Sequence, residues 1–318
     1  MRPLRLFPET TKFDFVRLRF AAFGFTLLLL TATALSLAVN GLNFGIDFKG
    51  GILVELQAQQ PIQVADLRNH LSNADLGEVE VQQFGNPREA LIRVEAGALR
   101  SQEASQIVPR LRQALGDQYE FRRTEVVGPR VSGELLRDGA MATVLAILAI
   151  GVYVWFRFEW QFGVSALAAT AHDVIVTVGL LSVTQLEFNL TAIAALLTLA
   201  GYSINDTVVV FDRIRELLRT HKRAALGEII NLAVNQTLSR TILTSATTLV
   251  AILPLLFFNT STLLNFTVSL VWGILIGTFS SVFVAASLLL YMPPVGRSQE
   301  PDKTGEKQAA ATLENEGR

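Results

Sequence analysis

Long apolar blocks alternate with short polar connections over most of the chain. A helix needs about 20 mostly apolar residues to cross the hydrocarbon core of a bilayer. Six stretches meet this requirement, one near the N-terminus and five in close succession after residue 138. The fifth is open to an earlier start near Ile229. The pattern predicts a polytopic α-helical membrane protein with six transmembrane helices, at Phe20–Val39, Gly139–Phe156, Gly163–Val183, Leu190–Phe211, Ile242–Phe258 and Phe266–Tyr291.

The segment between the first two spans, residues 40–137, has the changing periodicity of a folded domain. Alternating apolar residues over 52–56 predict a strand, and helical spacing over 64–71 predicts a helix. Two strands, a helix with Pro109 in its first turn or at a kink, and a last strand follow, at 79–81, 91–94, 107–115 and 119–127. The order β-α-β-β-α-β predicts a small ferredoxin-like α+β domain.

Basic residues cluster on one side of the predicted spans. They occur before the first span, in the loop after the fourth span and in the C-terminal tail, whereas the short loops at 185–189 and 259–265 have none. The positive-inside rule therefore predicts that both termini are cytoplasmic and that residues 40–137 are exoplasmic, or periplasmic. The predicted parts are 1–19 (cytoplasmic segment), 20–39 (first span), 40–137 (exoplasmic domain), 138–291 (five-helix membrane domain) and 292–318 (cytoplasmic, disordered tail).

The first span has a rival interpretation as a cleaved signal peptide, since Ser36-Leu37-Ala38 resembles a cleavage site. Its apolar stretch is longer than the 7–15 residues of a usual signal core, which favours an uncleaved anchor.

Composition excludes several classes of function. Only 17% of residues are charged, against roughly 25% in soluble domains, and the net charge of −1 gives no footprint for nucleic acid. The chain has no cysteine, no nucleotide-binding loop and no cluster of metal-ligating residues. His70 stands alone and is expected at the surface. We expect neither an enzymatic activity nor a cofactor.

Several motifs together resemble the SecD/SecF family of the RND superfamily. The loop Phe44–Gly51 resembles the glycine-rich signature after the first span of these proteins, with Gly45, Asp47, Gly50 and Gly51 at the signature positions. Lys49 departs from the small polar residue of many relatives. The match continues at 127–135, 157–160, 171–174, 201–216 and 235–241, and covers most of residues 40–290.

The short inserted domain and the sequence of residues 202–206 favour the SecF branch of that family. The resemblance implies an auxiliary subunit of the Sec machinery that uses the proton motive force, with SecD, to promote late steps of polypeptide export across the cytoplasmic membrane. It implies as partners SecD, the SecYEG channel, the accessory proteins YajC or YidC, the translocating polypeptide and membrane lipids. Half of an RND-type exporter of lipids or small molecules, and a non-transporting channel scaffold, remain alternatives.

Ionisable residues inside the predicted spans carry the mechanistic hypothesis. Asp206 falls in span four, and Arg240 is expected at the cytoplasmic start of span five, where the two could pair. An intramembrane charge costs at least about 2.5–3.5 kcal/mol, so such residues usually face the bundle interior. Asp206 and Arg240 also match the SecF positions associated with proton passage. A static ion pair that fixes helix packing is the alternative.

Other polar residues of the spans are expected to support this pair. His172 and Asp173 lie in span three, and Asp173 is expected to orient spans three and four through Thr177 or Thr170. Ser203 and Thr244 share helix faces with Asp206 and Arg240, respectively. Gly273 and Gly277 in span six favour close helix packing, within the bundle or against SecD.

Overall fold

A computed structural model describes residues 11–72, 76, 79–83, 86–95, 101–257 and 261–293. Residues 1–10, Gly85 of the predicted turn at 85–87, residues 258–260 of the loop before the last span, and the tail 294–318 lie outside the described residues. The predictions made for these segments are therefore not tested.

Six helices of the described part are long and apolar enough to span a membrane, as predicted. They are α1 (Arg19–Val39), α5 (Pro129–Arg157), α6 (Trp160–Thr184), α7 (Leu190–Thr220), α8 (Leu226–Ile252) and α9 (Ser261–Phe279). The helix α9 continues through a π-helical segment (Ser280–Ala285) into α10 (Ala286–Leu288) and a last 3₁₀ turn at Leu289–Tyr291.

Three of these helices extend well beyond the predicted spans. The helix α5 begins at Pro129, inside the segment assigned to the inserted domain, because proline favours the first turn of a helix. The helix α7 continues to Thr220 through charged residues, and α8 begins at Leu226. The sequence places Arg240 at the start of span five, and in the structure it lies well inside the longer helix α8.

The inserted domain is built on a four-stranded sheet. Its strands are β1 (Gly51–Ala58), β2 (Val79–Gln83), β3 (Glu89–Glu95) and β4 (Tyr119–Val127), and its helices are α3 (Val64–Ser72) and α4 (Ser101–Leu115). The strand order is β2-β3-β1-β4, with every neighbouring pair antiparallel. This order fits the ferredoxin-like unit expected from the sequence. Pro109 lies inside α4 rather than in its first turn.

The two faces of this sheet have different partners. One face packs against α3 and α4 around Val54, Ile92, Leu71 and Leu111, which are all fully buried. The other face carries Leu53 and Leu91, which pack against Ile46 of a short helix α2 (Ile46–Lys49) in the glycine-rich loop. Because α2 also contacts α5, this loop joins the domain to the membrane helices.

The membrane helices form a central group and a peripheral group. The helices α6 and α7 and the last span are mostly buried, whereas α1, α5 and α8 expose most of their surface. Close packing holds the centre together: a side chain at Gly273 would collide with Leu199 of α7. The glycines of the last span therefore serve packing within the bundle.

An N-terminal strap, residues 11–17, is bound to the first turns of α8. The amide of Asn235 donates to the carbonyl of Phe13 and its oxygen accepts from the Phe13 N–H, at 2.8 and 2.9 Å. Asn231 accepts from the Val16 N–H at 2.9 Å, and Phe15 is buried in the bundle core. These contacts fix the part of α8 that precedes Arg240.

Candidate functional site in the membrane bundle

Asp206 is buried near the middle of α7, with only 3% of its surface exposed. It lies one turn after Ser203 and next to Thr207, which are both buried. Its Oδ2 atom has no hydrogen-bond partner among the described residues. A buried polar atom without a partner is costly, so this carboxyl group is a candidate for a functional role rather than for packing.

Arg240 occupies the neighbouring helix α8 and is exposed on its surface. It lies close enough to act electrostatically on Asp206. Within the described residues the two side chains form no ion pair at 4.0 Å or less. The acid and the guanidinium are therefore near each other but not bonded in this state.

Asp173 is the centre of a second polar cluster, fully buried between three helices. Its Oδ2 accepts from the Ser203 hydroxyl on α7 at 2.5 Å and from the Ser280 hydroxyl of the last span at 2.7 Å. Its Oδ1 lies 2.9 Å from Nδ1 of His172, whose Nε2 has no partner in the described part of the chain. Asp173 thus ties span three to spans four and six.

The predicted partners of this cluster need correction. The hydroxyl of Thr177 donates to the backbone carbonyl of Asp173 within α6, so the contact with span four runs through Ser203, not through Thr177 or Thr170. The hydroxyl of Thr244 donates to the backbone carbonyl of Arg240 and, among the described residues, bonds to no other helix. Hydroxyls in helices often satisfy their own i−4 carbonyl, which sequence spacing alone does not reveal.

The neighbouring Ser245 makes contacts between helices. Its hydroxyl lies 2.7 Å from the Thr278 hydroxyl of the last span and accepts from Tyr202 of α7 at 3.4 Å. These bonds join α7, α8 and α9 close to Asp206 and Arg240.

The π-helical segment Ser280–Ala285 was not predicted. It lies opposite α7, where the Ser281 hydroxyl is 2.8 Å from the Thr207 hydroxyl. A π-helical turn is wider than an α-helical turn, so its backbone hydrogen bonds differ. The carbonyl of Ala285 in this segment accepts a hydrogen bond from the Ser165 hydroxyl of α6 at 2.6 Å. Such segments frequently occur at functional sites, and the only sequence signal here is the run of small and hydroxyl residues.

The glycine-rich loop docks on the start of α7. Oδ2 of Asp47 accepts from the N–H of Leu190 at 2.8 Å, which satisfies one of the free donors of the first turn. Gly45 lies so close to Glu187 that a side chain there would collide with it. Gly50 and Gly51 have φ values of +74° and +142°, which favour glycine. These contacts give the four signature residues a structural role.

Arg93 of β3 forms a second junction between the domain and the bundle. This buried guanidinium pairs with Glu187 in the loop between α6 and α7, and with Glu80 of β2 at 3.3 Å. Burial raises the pKa of Glu187, and the charge of Arg93 partly opposes that rise. This pair is not evident from the sequence, because the two residues lie far apart in the chain and neither belongs to a motif.

Two family models match the chain. The model described as "Protein export membrane protein SecD/SecF, C-terminal" matches residues 107–294, and that of the SecD/SecF GG motif matches residues 35–62. The first alone covers more than half of the chain. The chain belongs to the SecD/SecF family of protein-export membrane proteins.

Curated relatives place the chain in the SecF branch of this family. The protein translocase subunit SecF of Desulfurispirillum indicum is 45% identical over 287 residues, which are 88% of this chain and 91% of that protein. The SecF of Rickettsia akari is 42% identical over 291 residues, 90% of this chain and 94% of that protein. The resemblance inferred from the motifs is confirmed.

Solved structures of SecDF share the fold. The SecDF of Thermus thermophilus superposes with a TM-score of 0.79 at 37% identity, over 90% of this chain. A SecDF structure in the super-membrane-facing form gives a TM-score of 0.64 at 34% identity, over 95% of this chain. This SecF-type chain spans 39% and 40% of the lengths of those two proteins.

Proposed function

We propose that this chain is the SecF half of a membrane translocase that uses the proton motive force, together with SecD, to promote late steps of polypeptide export. Its membership of the SecF branch supports the class. The observation that carries the mechanism is the buried Asp206 carboxyl group, whose free oxygen lies near but not bonded to Arg240. The role involves no chemical conversion of the polypeptide.

The proposed mechanism rests on the opposing effects of burial and of Arg240 on Asp206. Burial favours the neutral acid, whereas a nearby guanidinium favours the carboxylate. A change in the distance between the two side chains therefore changes proton affinity, so that Asp206 binds a proton from one side and releases it to the other. Each proton that crosses releases about 2.3 kcal/mol per 100 mV, which is enough to bias a rigid-body movement.

The route from this site to the inserted domain runs along α7. The first turn of α7 is bonded to Asp47 of the glycine-rich loop, and the preceding loop is paired with Arg93 of the domain. A shift of α7 relative to α8 on protonation would therefore move both junctions. We propose that the domain follows and acts on the polypeptide.

SecD is the proposed partner within the membrane. Asn205 of α7, Arg240 and Thr247 of α8 are exposed in the middle of candidate spans, where contact with lipid is costly. A second transporter half would cover this polar face. SecYEG and YajC or YidC complete the proposed assembly.

The proposed setting is the cytoplasmic membrane, with both termini in the cytoplasm and the inserted domain on the exoplasmic side. The distribution of basic residues supports this orientation. The loop at 185–189, on the proposed exoplasmic side, contains no lysine or arginine.

Export measured in membrane vesicles tests the proposal. Asp206→Asn removes the titratable group but keeps size and polarity, so we expect the stimulation of export by an imposed proton gradient to disappear. Asp212→Asn is the matched control, because Asp212 lies on the same helix but is exposed and paired with Arg157 at 3.4 Å. Export that remains gradient-dependent in Asp206→Asn would contradict the proposal. Loss of export with and without the gradient in a correctly inserted Asp206→Asn protein would favour a static structural role for Asp206 in helix packing instead.

A further inference from the structure

A polar groove lies at the end of the sheet remote from the membrane helices. The strand β1 leaves the docked glycine-rich loop at Gly51 and ends at Ala58, opposite Tyr119 at the start of β4. The groove, with a volume of about 530 Å³, opens between this strand end, the residues that lead into α3, and the start of β4. A smaller cavity of about 290 Å³ adjoins it and shares Asp66, Gln118 and Tyr119.

Glutamine side chains dominate the wall of this groove. Gln59, Gln60, Gln63 and Gln118 line it, and Gln113 lines the adjoining cavity. All five side chains are exposed, and none makes a hydrogen bond with the described residues. Five side-chain amides with unused donors and acceptors are thus concentrated at one end of the domain.

Backbone hydrogen bonds, rather than the exposed glutamine side chains, shape the groove. The N–H of Ala58 donates to the carbonyl of Arg88 at 2.8 Å, and that of Ile62 donates to the carbonyl of Pro87 at 2.7 Å. Pro61 restricts the chain between these two bonds, and Ile62 is buried in the domain core. One wall is therefore held in place before any ligand binds.

The chemistry of the wall matches a polypeptide backbone. A glutamine amide presents one carbonyl acceptor and an NH₂ donor, the same pair of groups that a peptide unit offers. Asp66 is the one acidic residue that lines the groove within the described part of the chain, so the site selects little by charge. The exposed surface of the wall is mainly polar, so it does not require a hydrophobic anchor. A ligand of variable sequence in an extended conformation fits these properties.

We propose that this groove binds an extended segment of the translocating polypeptide through its peptide groups. The inference rests on the proposed role in export and adds a contact site on the substrate side. Binding through the backbone would tolerate any exported sequence. Weak, amide-only contacts would also allow release as the chain advances, because a single neutral hydrogen bond contributes only about 0.5–1.5 kcal/mol.

Site-specific photo-crosslinking in the intact membrane assembly tests the groove. A photoreactive residue is placed at Gln60 or Gln118, and at Gln82 as a control of the same residue type on the edge strand β2, outside the groove. During active export, we expect adducts with the exported polypeptide several-fold above the Gln82 level at both groove positions. Equal labelling at all three positions would overturn the proposal.

A charge variant separates this proposal from the proposed function. Gln60→Glu combined with Gln118→Glu keeps side-chain size but replaces the amide donors with carboxylates, and we expect reduced export of acidic polypeptides with less effect on basic ones. Recovery of the variant in the membrane with its partners shows that it is folded. Unchanged export of both substrates by the double variant, while Asp206→Asn abolishes gradient-dependent export, would reject the groove and leave the proposed function intact.

Discussion

The polar residues inside the membrane spans differ in how far the sequence reveals them. Asp206 and Arg240 stand out because charges are rare in apolar spans. The sequence does not show which hydroxyl groups donate to the carboxylate of Asp173. Serine and threonine are common in these helices, and only the fold selects Ser203 and Ser280 as its donors.

The Asp173 cluster makes a prediction about stability. Asp173→Ala removes the acceptor of two buried hydroxyls and of His172, and each unpaired buried group costs about 1–3 kcal/mol. We expect a clearly lower melting temperature in detergent. Thr184→Ala is the control, because its exposed hydroxyl bonds only to the carbonyl of Leu180 in its own helix. Equal melting temperatures for the two variants would show that the cluster does not hold the spans together.

Among the elements, the junction between the inserted domain and the bundle is one feature that the sequence did not predict. The periodic spacing of apolar residues predicts the strands and the spans, because burial of one face of an element produces a regular repeat in the sequence. In the sequence, Arg93 appears as a single polar residue between apolar residues of β3. Only the folded arrangement brings it to Glu187.

A double-mutant cycle tests this junction. Arg93→Leu leaves the Glu187 carboxyl buried without its partner, and breaking such a pair costs about 3–5 kcal/mol. We expect faster hydrogen exchange in the glycine-rich loop and in the first turn of α7. Adding Glu187→Leu should restore much of the protection, because both charges are then gone. Additive losses in the double variant would show that the two residues act separately.

The docking of the domain should also depend on pH through Glu187. Burial raises the pKa of Glu187 above its ordinary value of 4.5, and Arg93 reduces the rise. Over the interval between 4.5 and the raised value, the docked state binds more protons than the undocked state. Docking is therefore expected to weaken as pH rises through that interval. Hydrogen exchange of the loop checks this, and Glu187→Gln should remove the dependence; an unchanged dependence in that variant would assign it to another group.

At the scale of the whole molecule, the number of spans and the α+β order of the insert follow from periodicity, but the helix ends do not. The start of α8 carries polar residues, among them Asn231 and Asn235, that bind the N-terminal strap, so a search for uniform apolarity begins that helix too late. The strap, the π-helical segment and the domain junction all make contacts with segments that are distant in the sequence. They converge on α7 and α8, the two helices that carry Asp206 and Arg240.

Proton uptake by liposomes containing this chain with SecD tests the proposal that Asp206 passes protons. Under an imposed proton gradient, we predict uptake by the unaltered assembly and by Asp212→Asn. For Asp206→Asn we predict no uptake above that of liposomes without protein. Undiminished uptake by a correctly inserted Asp206→Asn assembly would contradict the account.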